Sequence, residues 1–486
     1  MAFDVSEAVR QRIAQGGDKD AVAFDGRWRS WRWLEAAATA VDHAVGDAAA
    51  VGLIARTRPQ HVAAFAAGIA AHRTTVMIYA AQSPPKMAED IRRLRLEAVI
   101  ADAEDWTPDT RAAANEVGSA AIALEDSADG SAVARLLAPR GDGPLRAATP
   151  DIAFELLSSG TTGPPKRVPL RWATFASAVD DAKGVYAGST AIESPQLMTN
   201  PLGNVSGISY LAPPLAYGQR IVLLEKFDPL KWGELVRIHR PYRAGLPPAA
   251  IRMVLDAGVP KEDLACLALI GVGGGKVDAE VHERFEDHYG IPVLHAFGAT
   301  EFAGVVANWT PDAYRQWGKA KRGSAGRASA NVALRVVDPE TFVPLPPGEI
   351  GLLEAQAARI GPDWVRTTDL ASIDADGFLF LHGRTDGAIN RGGFKIVPET
   401  VAEALRAHPA VADAAVVGIT DTRLGEVPVA AVELAPGQIV TPDALRDWVR
   451  ERLVAYQVPT QIRIVPALPR NASLKVSAPD VKALFA

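Results

Sequence analysis

The stretch ACLALIGVGGGKVDAEVHERFEDHYGIPVLHAFGATEF, residues 265–302, decides how the rest of the chain reads. It opens with a short apolar run and passes through the glycine-rich loop GVGGGK (271–276). VDAEVHERFEDHY follows at helical spacing with a charged face, and a second apolar run, IPVLHA, ends in FGATEF (297–302). Strand, loop, helix, strand, loop is the unit of a mostly parallel α/β sheet, and such sheets bind ligands outside the C-terminal ends of their strands. Both loops fall there. The same alternation runs from about residue 20 to residue 330, in AVGLIAR, TTVMIYA, AVIADA and RIVLLE, and predicts an α/β fold for that whole region.

Beyond residue 330 the texture changes to strands punctuated by Asp, Gly and Pro, as in ALRVVDPETFVPLPPGEIGLLEAQ and TTDLASIDADGFLFLHG, which predicts a small antiparallel β subdomain. The last hundred residues read as a small α+β unit: helix PETVAEALRAH, strands AAVVGI and VPVAAVEL, helix PDALRDWVRERLVAY and strand QIRIVPAL. GRTDGAINRGG (383–393) is rich in glycine and poor in apolar anchors, so the domains are expected at 1–385 and 386–486.

Composition narrows the functional classes. The 486 residues are 48% apolar and 22% charged with a net charge of −6, so no global positive field exists to hold nucleic acid or an anionic membrane face. The single cysteine, Cys266, excludes an intrachain disulfide framework and is expected to pack in the core. HVAAFAAGIAAHR (61–73) is too short to span a bilayer and reads as a buried helix. The N-terminus has no apolar block of signal-peptide type, and a cytoplasmic location is expected.

LSSGTTGPPKRVP (157–169) suits neither a helix nor a strand, which leaves a surface loop or a phosphate cradle. It lacks the G-K-[ST] ending of a Walker A loop. Its hydroxyls and glycines still offer donors and close backbone approach, and Lys166 supplies a cation.

SSGTTGPPKRV, FGATE, the run RTTDLASIDADGFLFLHGRTDGAINRGGFKIVPETVAEAL (366–405) and LPRNASLKV (468–476) occur in the order and spacing of the acyl-adenylate-forming ligases. The chain resembles that superfamily nearly end to end, and its length and lack of a carrier domain look most like a stand-alone AMP-forming acyl- or aryl-CoA synthetase. The resemblance implies ATP, Mg²⁺ and coenzyme A as co-substrates and cofactors, with a small-molecule carboxylic acid as substrate. It makes Ser158, Ser159, Gly160, Thr161, Thr162, Gly163 and Lys166 the loop that grips the ATP phosphates. Phe297, Gly298 and Ala299 would flank AMP, Thr300 would hydrogen-bond the α-phosphate and Glu301 would hold Mg²⁺. Gly273, Gly274 and Gly275 would let adenine and acyl group lie on backbone. Asp369 matches the aspartate that accepts both ribose hydroxyls, Arg384 the arginine reaching the same ribose and phosphate, and Asp386 the hinge of a mobile C-terminal domain. Lys475 matches the catalytic lysine that bridges carboxylate and α-phosphate during adenylation. Gly392 and Gly393 would pass the pantetheine arm of CoA.

The chain departs from the family pattern at several points. Arg167 stands where glycine is usual and would stiffen the loop or add a positive charge. Leu474 replaces the glycine before the lysine, and Asn390 replaces a common lysine. In NPLGNVSGISYL (200–211), Gly203 and Asn204 replace an aromatic–histidine pair that gates the acyl pocket. With Gly207 and Ser209, and with His295 also lining it, the pocket is expected to be wide and to take a bulky, largely apolar acid. No aspartate stands where amino-acid-activating domains anchor an amino group. The alternatives are a ligase that stops at acyl-AMP, one that hands the acyl group to a carrier protein or partner enzyme, and a silent binding protein, against which the intact Lys166, Glu301, Asp369, Arg384 and Lys475 argue.

Overall fold

The computed structural model describes residues 3–157, 167–183, 193–275, 279–385, 387–391, 394–471 and 473–486. Its described residues up to Val305 form one compact unit and Val306–Ala486 another.

The first unit contains two sheets. In one, Ala120–Leu124, Ala98–Asp102, Ala50–Ala55, Thr74–Tyr79 and Ile152–Leu157 run parallel in that spatial order, with antiparallel strands Ala134–Ala138 and Arg167–Arg171 at the edges. Every residue of Ala50–Ala55 is buried, which is why AVGLIA shows no polar alternation: a strand covered on both faces has no wet side. The helix Pro59–Ala70 is buried nearly all round, as its composition predicts. In the other sheet Val293–Ala299, Leu269–Val272, Arg243–Leu246, Gln196–Met198, Ile221–Leu223 and Asp20–Phe24 run parallel, and Arg27–Ser30 closes the edge antiparallel. Cys266 lies just before Leu269–Val272, half-buried rather than in the core, with its thiol 3.6 Å from the Val236 carbonyl.

The second unit is antiparallel where the sequence changes texture. Val332–Val337, Gly351–Ala357, Val365–Ile373 and Leu379–Arg384 form a four-stranded meander. Glu354, 2% exposed, stands at its centre between Arg335 (2.7 Å) and Arg366 (2.8 Å). The last sheet pairs Ile389–Arg391, Gly425–Leu434 and Val411–Asp421 antiparallel and adds Gln461–Val465 parallel. Helices Pro398–Arg406 and Pro442–Arg450 cover it over a core of Val401, Leu405, Val432, Leu445 and Val449. Thr441 caps the second helix by accepting from Ala444 N–H at 3.2 Å, a bond worth about 1 kcal/mol. This α/β architecture with an antiparallel subdomain and a terminal α+β sheet is the fold class the sequence predicts.

Candidate active site

In the first unit, Leu269–Val272 and Val293–Ala299 are paired in register, Val272 opposite His295. The loops that follow therefore leave the sheet side by side. His295, 4% exposed, lies 2.8 Å through Nε2 from the Gly275 carbonyl and donates to it, which ties one loop to the other strand. Of the three glycines only Gly274 is demanded by its backbone, at φ +83°. A Cβ at Gly273 or Gly275 would meet its nearest neighbour at an ordinary 3.7 or 3.5 Å. Gly298 is demanded by packing, because a Cβ there would stand 2.4 Å from the Gly304 carbonyl oxygen. Ala299 leads into the one-turn helix Thr300–Phe302, and the chain then reverses through Ala303 (φ +55°) and Gly304 (φ +138°). Phe297 is 8% exposed, so little of its ring is open.

The expected acyl-pocket residues separate into different roles. Gly203 is buried and could carry a Cβ in ordinary contact, 3.7 Å from the Tyr79 ring and 4.0 Å from Ala55. Asn204 caps the helix Val205–Tyr217, its Oδ1 accepting from Gly207 N–H at 2.8 Å and from the Ser206 hydroxyl at 2.7 Å. Gly207 is a close-approach glycine, with its Cβ position 2.1 Å from the Pro201 oxygen, and Ser209 is exposed. Tyr210, which sequence reading passed over, lies across Gly245 and Gly271 of neighbouring strands: a Cβ on Gly245 would meet the phenol oxygen at 2.4 Å. Burial pushes the Tyr210 phenol above its usual range. Arg167 turns its guanidinium to the Met77 carbonyl at 3.0 Å, and its Nε and Nη2 are buried with no hydrogen-bond partner among the described residues.

In the second unit the hairpin Val365–Ile373/Leu379–Arg384 sets Asp369 directly opposite Arg384. Their charged groups stand 4.0 Å apart, and Arg384 Nη2 also donates to the Thr368 hydroxyl at 2.7 Å. Thr367 accepts from Asp369 N–H at 3.0 Å and donates to the Leu353 carbonyl at 3.0 Å, so RTTD is pinned to the neighbouring strand. Lys475 lies within electrostatic reach of both. The residue is exposed overall, yet its ammonium is crowded: desolvation lowers its pKa below the ordinary lysine value, Arg384 adds to the fall, and Asp369 partly offsets it.

The loop carrying Lys475 is held by side chains. Asn471 Oδ1 accepts from Ser473 N–H at 3.0 Å and from Lys475 N–H at 3.1 Å. Arg470 donates to the Leu474 carbonyl at 3.2 Å and to Asp413 at 2.5 Å. Leu474 sits at φ +59°, the left-handed region that glycine enters freely, so the leucine keeps the path a glycine would take. Asn471, Arg470 and Asp413 are further residues that the sequence reading missed; the Asn-x-Ser turn signal was there for Asn471, whereas nothing marked Asp413. Residues 158–166, Asp386, Gly392 and Gly393 lie outside the described residues, as does the side chain of Glu301.

Parallel strands thus end in paired loops in the first unit, and in the second a carboxylate–guanidinium hairpin lies within electrostatic reach of a lysine. The chain belongs to the AMP-binding enzyme family, whose model matches residues 9–357, while the model for the AMP-binding enzyme C-terminal domain matches residues 400–475. It is 32% identical over 352 residues to the 2-succinylbenzoate–CoA ligase of Geobacillus sp. (strain WCH70), covering 69% of each chain. To the 4-coumarate–CoA ligase-like 5 protein of Oryza sativa subsp. japonica it is 29% identical over 343 residues, which is 67% of this chain and 61% of that one. The chain thus spans about three fifths of the rice relative's length. Among solved structures, ATP-bound MatB from Rhodopseudomonas palustris superposes with a TM-score of 0.83 at 21% identity, over 100% of this chain and 99% of that one. That likeness is one of fold. No helix among the described residues is long and apolar enough to cross a membrane.

Proposed function

We propose that the chain is an AMP-forming acyl-CoA ligase acting on a bulky, largely apolar carboxylic acid. The observation that carries this reading is the Asp369–Arg384–Lys475 arrangement. A carboxylate suits two ribose hydroxyls, and two cations beside it suit crowded phosphate and carboxylate oxygens. In the first step a carboxylate oxygen bonds to the α-phosphorus, the bond to the β-phosphate bridge breaks, and pyrophosphate leaves. Lys475 offsets the repulsion between the two anions, and Thr300 hydrogen-bonds the α-phosphate. In the second step the CoA sulfur attacks the acyl carbonyl, the C–O bond to AMP breaks, AMP leaves as an anion, and the thiol proton passes to solvent. Residues 386–486 turn about Asp386 between the steps, and Gly392 and Gly393 pass the pantetheine arm.

Mg²⁺ would arrive with the ATP phosphates, and Glu301 would hold it. Gly203, where an added Cβ would make only ordinary contacts with Tyr79 and Ala55, stands in place of a bulkier gating residue, which supports a bulky acid. Exchange of labelled pyrophosphate into ATP across a panel of acids, with thioester assayed with and without CoA, tests the reading. No acid supporting exchange would end it. Acyl-AMP without thioester would move the assignment to a ligase that stops at acyl-AMP or serves a carrier protein or partner enzyme.

A further inference from the structure

The helix Val205–Tyr217 sends one side chain into a gap between two strands for a reason that packing alone does not supply. Gly245 and Gly271 are register partners on the parallel strands Arg243–Leu246 and Leu269–Val272. Two glycines side by side leave a slot on one face of the sheet, and the Tyr210 phenol fills it. A Cβ on Gly245 would stand 2.4 Å from the phenol oxygen, and one on Gly271 would stand 3.7 Å from the same atom.

Filling the slot needs only a ring, and phenylalanine would serve. The hydroxyl needs a further reason. It forms no hydrogen bond among the described residues, and the Gly245 carbonyl already accepts from the Thr199 hydroxyl at 2.9 Å. A hydroxyl drawn away from water without a partner destabilises a fold. Burial holds the phenol above its usual range, so at neutral pH it keeps its proton and can both donate and accept. Gly271 lies two residues before Gly273, which follows the end of the strand and opens the glycine loop, and two residues of strand rise about 6–7 Å. That is the reach of one benzene ring carrying a single para substituent.

We propose that the Tyr210 hydroxyl is the specificity contact for the acyl group, and that the acid this chain activates is an aromatic carboxylic acid with a hydrogen-bonding substituent para to its carboxyl. The inference rests on the ligase reading, which lays the acyl group on backbone at Gly273 and Gly275; a ring laid there and pointing back along the strand brings its para atom to the phenol oxygen. A straight alkyl chain would leave the hydroxyl unanswered. A ring with one polar end is still largely apolar, so the inference narrows the proposed substrate.

The test compares isosteres, 4-hydroxybenzoate and 4-methylbenzoate, in pyrophosphate exchange. Their acyl-sulfamoyl adenosines, which cannot react, are titrated calorimetrically into the whole protein. Wild type is expected to favour the hydroxy acid by about tenfold or more in kcat/KM, through KM, and the hydroxy analogue by a similar factor in Kd. In Tyr210→Phe, which keeps a ring in the slot, both preferences collapse to about one through loss on the hydroxy compound, whereas damage to packing would move both compounds together. Wild type that treats the two analogues alike or binds neither overturns the proposal, as does Tyr210→Phe with the wild-type preference intact. If wild type separates the analogues yet no acid supports exchange, the ligase reading fails and the Tyr210 contact stands.

Discussion

Two regions of the second unit carry the charges on which the proposed adenylation rests, and they are held in opposite ways. Asp369 and Arg384 are register partners in an antiparallel hairpin, so the backbone ladder of a four-stranded sheet fixes their separation. Lys475 hangs from a short loop held by Asn471 and Arg470, with Leu474 in the left-handed region. A sheet distributes its positioning over many bonds, so only damage to its interior moves the Asp369–Arg384 hairpin. The loop concentrates positioning in a few side chains, so single substitutions there should act on one half-reaction.

The largest effect tests the sheet side. Glu354 is buried between Arg335 and Arg366, and Glu354→Ala leaves two cations facing an empty site, at a cost of about 3–5 kcal/mol. Denaturant unfolding should show it, with both half-reactions falling together as the hairpin loses its footing. Burial pushes the Glu354 carboxyl up, but the hydrogen bonds and charges of the two arginines outweigh that and hold its pKa low. A depressed folded pKa gives stability above the unfolded carboxylate value near 4.3 that is lost as pH falls through the folded value. Wild type should therefore lose stability on acidification, and Glu354→Gln should flatten that limb.

Next comes the loop's own charge. Lys475→Ala is expected to cut pyrophosphate exchange by about 10²–10³, the scale of one transition-state donor, with thioester formation from supplied acyl-AMP largely kept. Equal losses in both steps would show that Lys475 acts otherwise. Because its pKa is lowered, exchange should fall on the alkaline side at a pH below that of an ordinary lysine. Removing the repulsion with Arg384→Gln moves that limb up; removing the attraction with Asp369→Asn moves it down.

How far the sequence foretold this contrast follows from the kind of information each region carries. The strands around RTTD and GRTD were legible because strand alternation and turn residues are local patterns, whereas the ribose role expected of Asp369 and Arg384 came only from the resemblance; sheet register then sets the two residues opposite each other. The buried strands AVGLIA and TTVMIY were legible for the same reason. The helix PDALRDWVRERLVAY was read too long, since it ends at Arg450 and its remaining residues form a turn and the start of the short 3₁₀ turn Ala455–Gln457. Asn204 read as pocket lining, and its Oδ1 also caps a helix, a role that only the position of Gly207 N–H reveals. Tyr210 was invisible: its partners, Gly245 and Gly271, lie on strands far along the chain. Asp413 lies 57 residues from the Arg470 it clamps, a spacing no local pattern encodes.

A smaller loss tests the loop's scaffold. Asn471→Ala removes the acceptor for two main-chain N–H groups, worth about 1 kcal/mol in total, and should slow exchange by about tenfold with little change in thioester formation. A fall in both steps would mean that the turn supports the domain rather than the lysine.

The smallest effect sharpens the comparison most, because it sets two positions of like backbone and unlike residue side by side. Gly274 and Leu474 both have positive φ, +83° and +59°. Left-handed backbone costs a residue with a Cβ about 1–2 kcal/mol, while glycine gives back about 0.4–1 kcal/mol through the freedom of the unfolded chain. Gly274→Ala should therefore lower stability by about 1 kcal/mol, and Leu474→Gly should raise it by a fraction of that, both read from denaturant midpoints at unchanged m-value. If the leucine's strain is what keeps the loop rigid around Lys475, Leu474→Gly also slows exchange despite the gain in stability. If it speeds exchange instead, the leucine is a brake on adenylation, and the loop, unlike the hairpin, is tuned by the very residue that strains it.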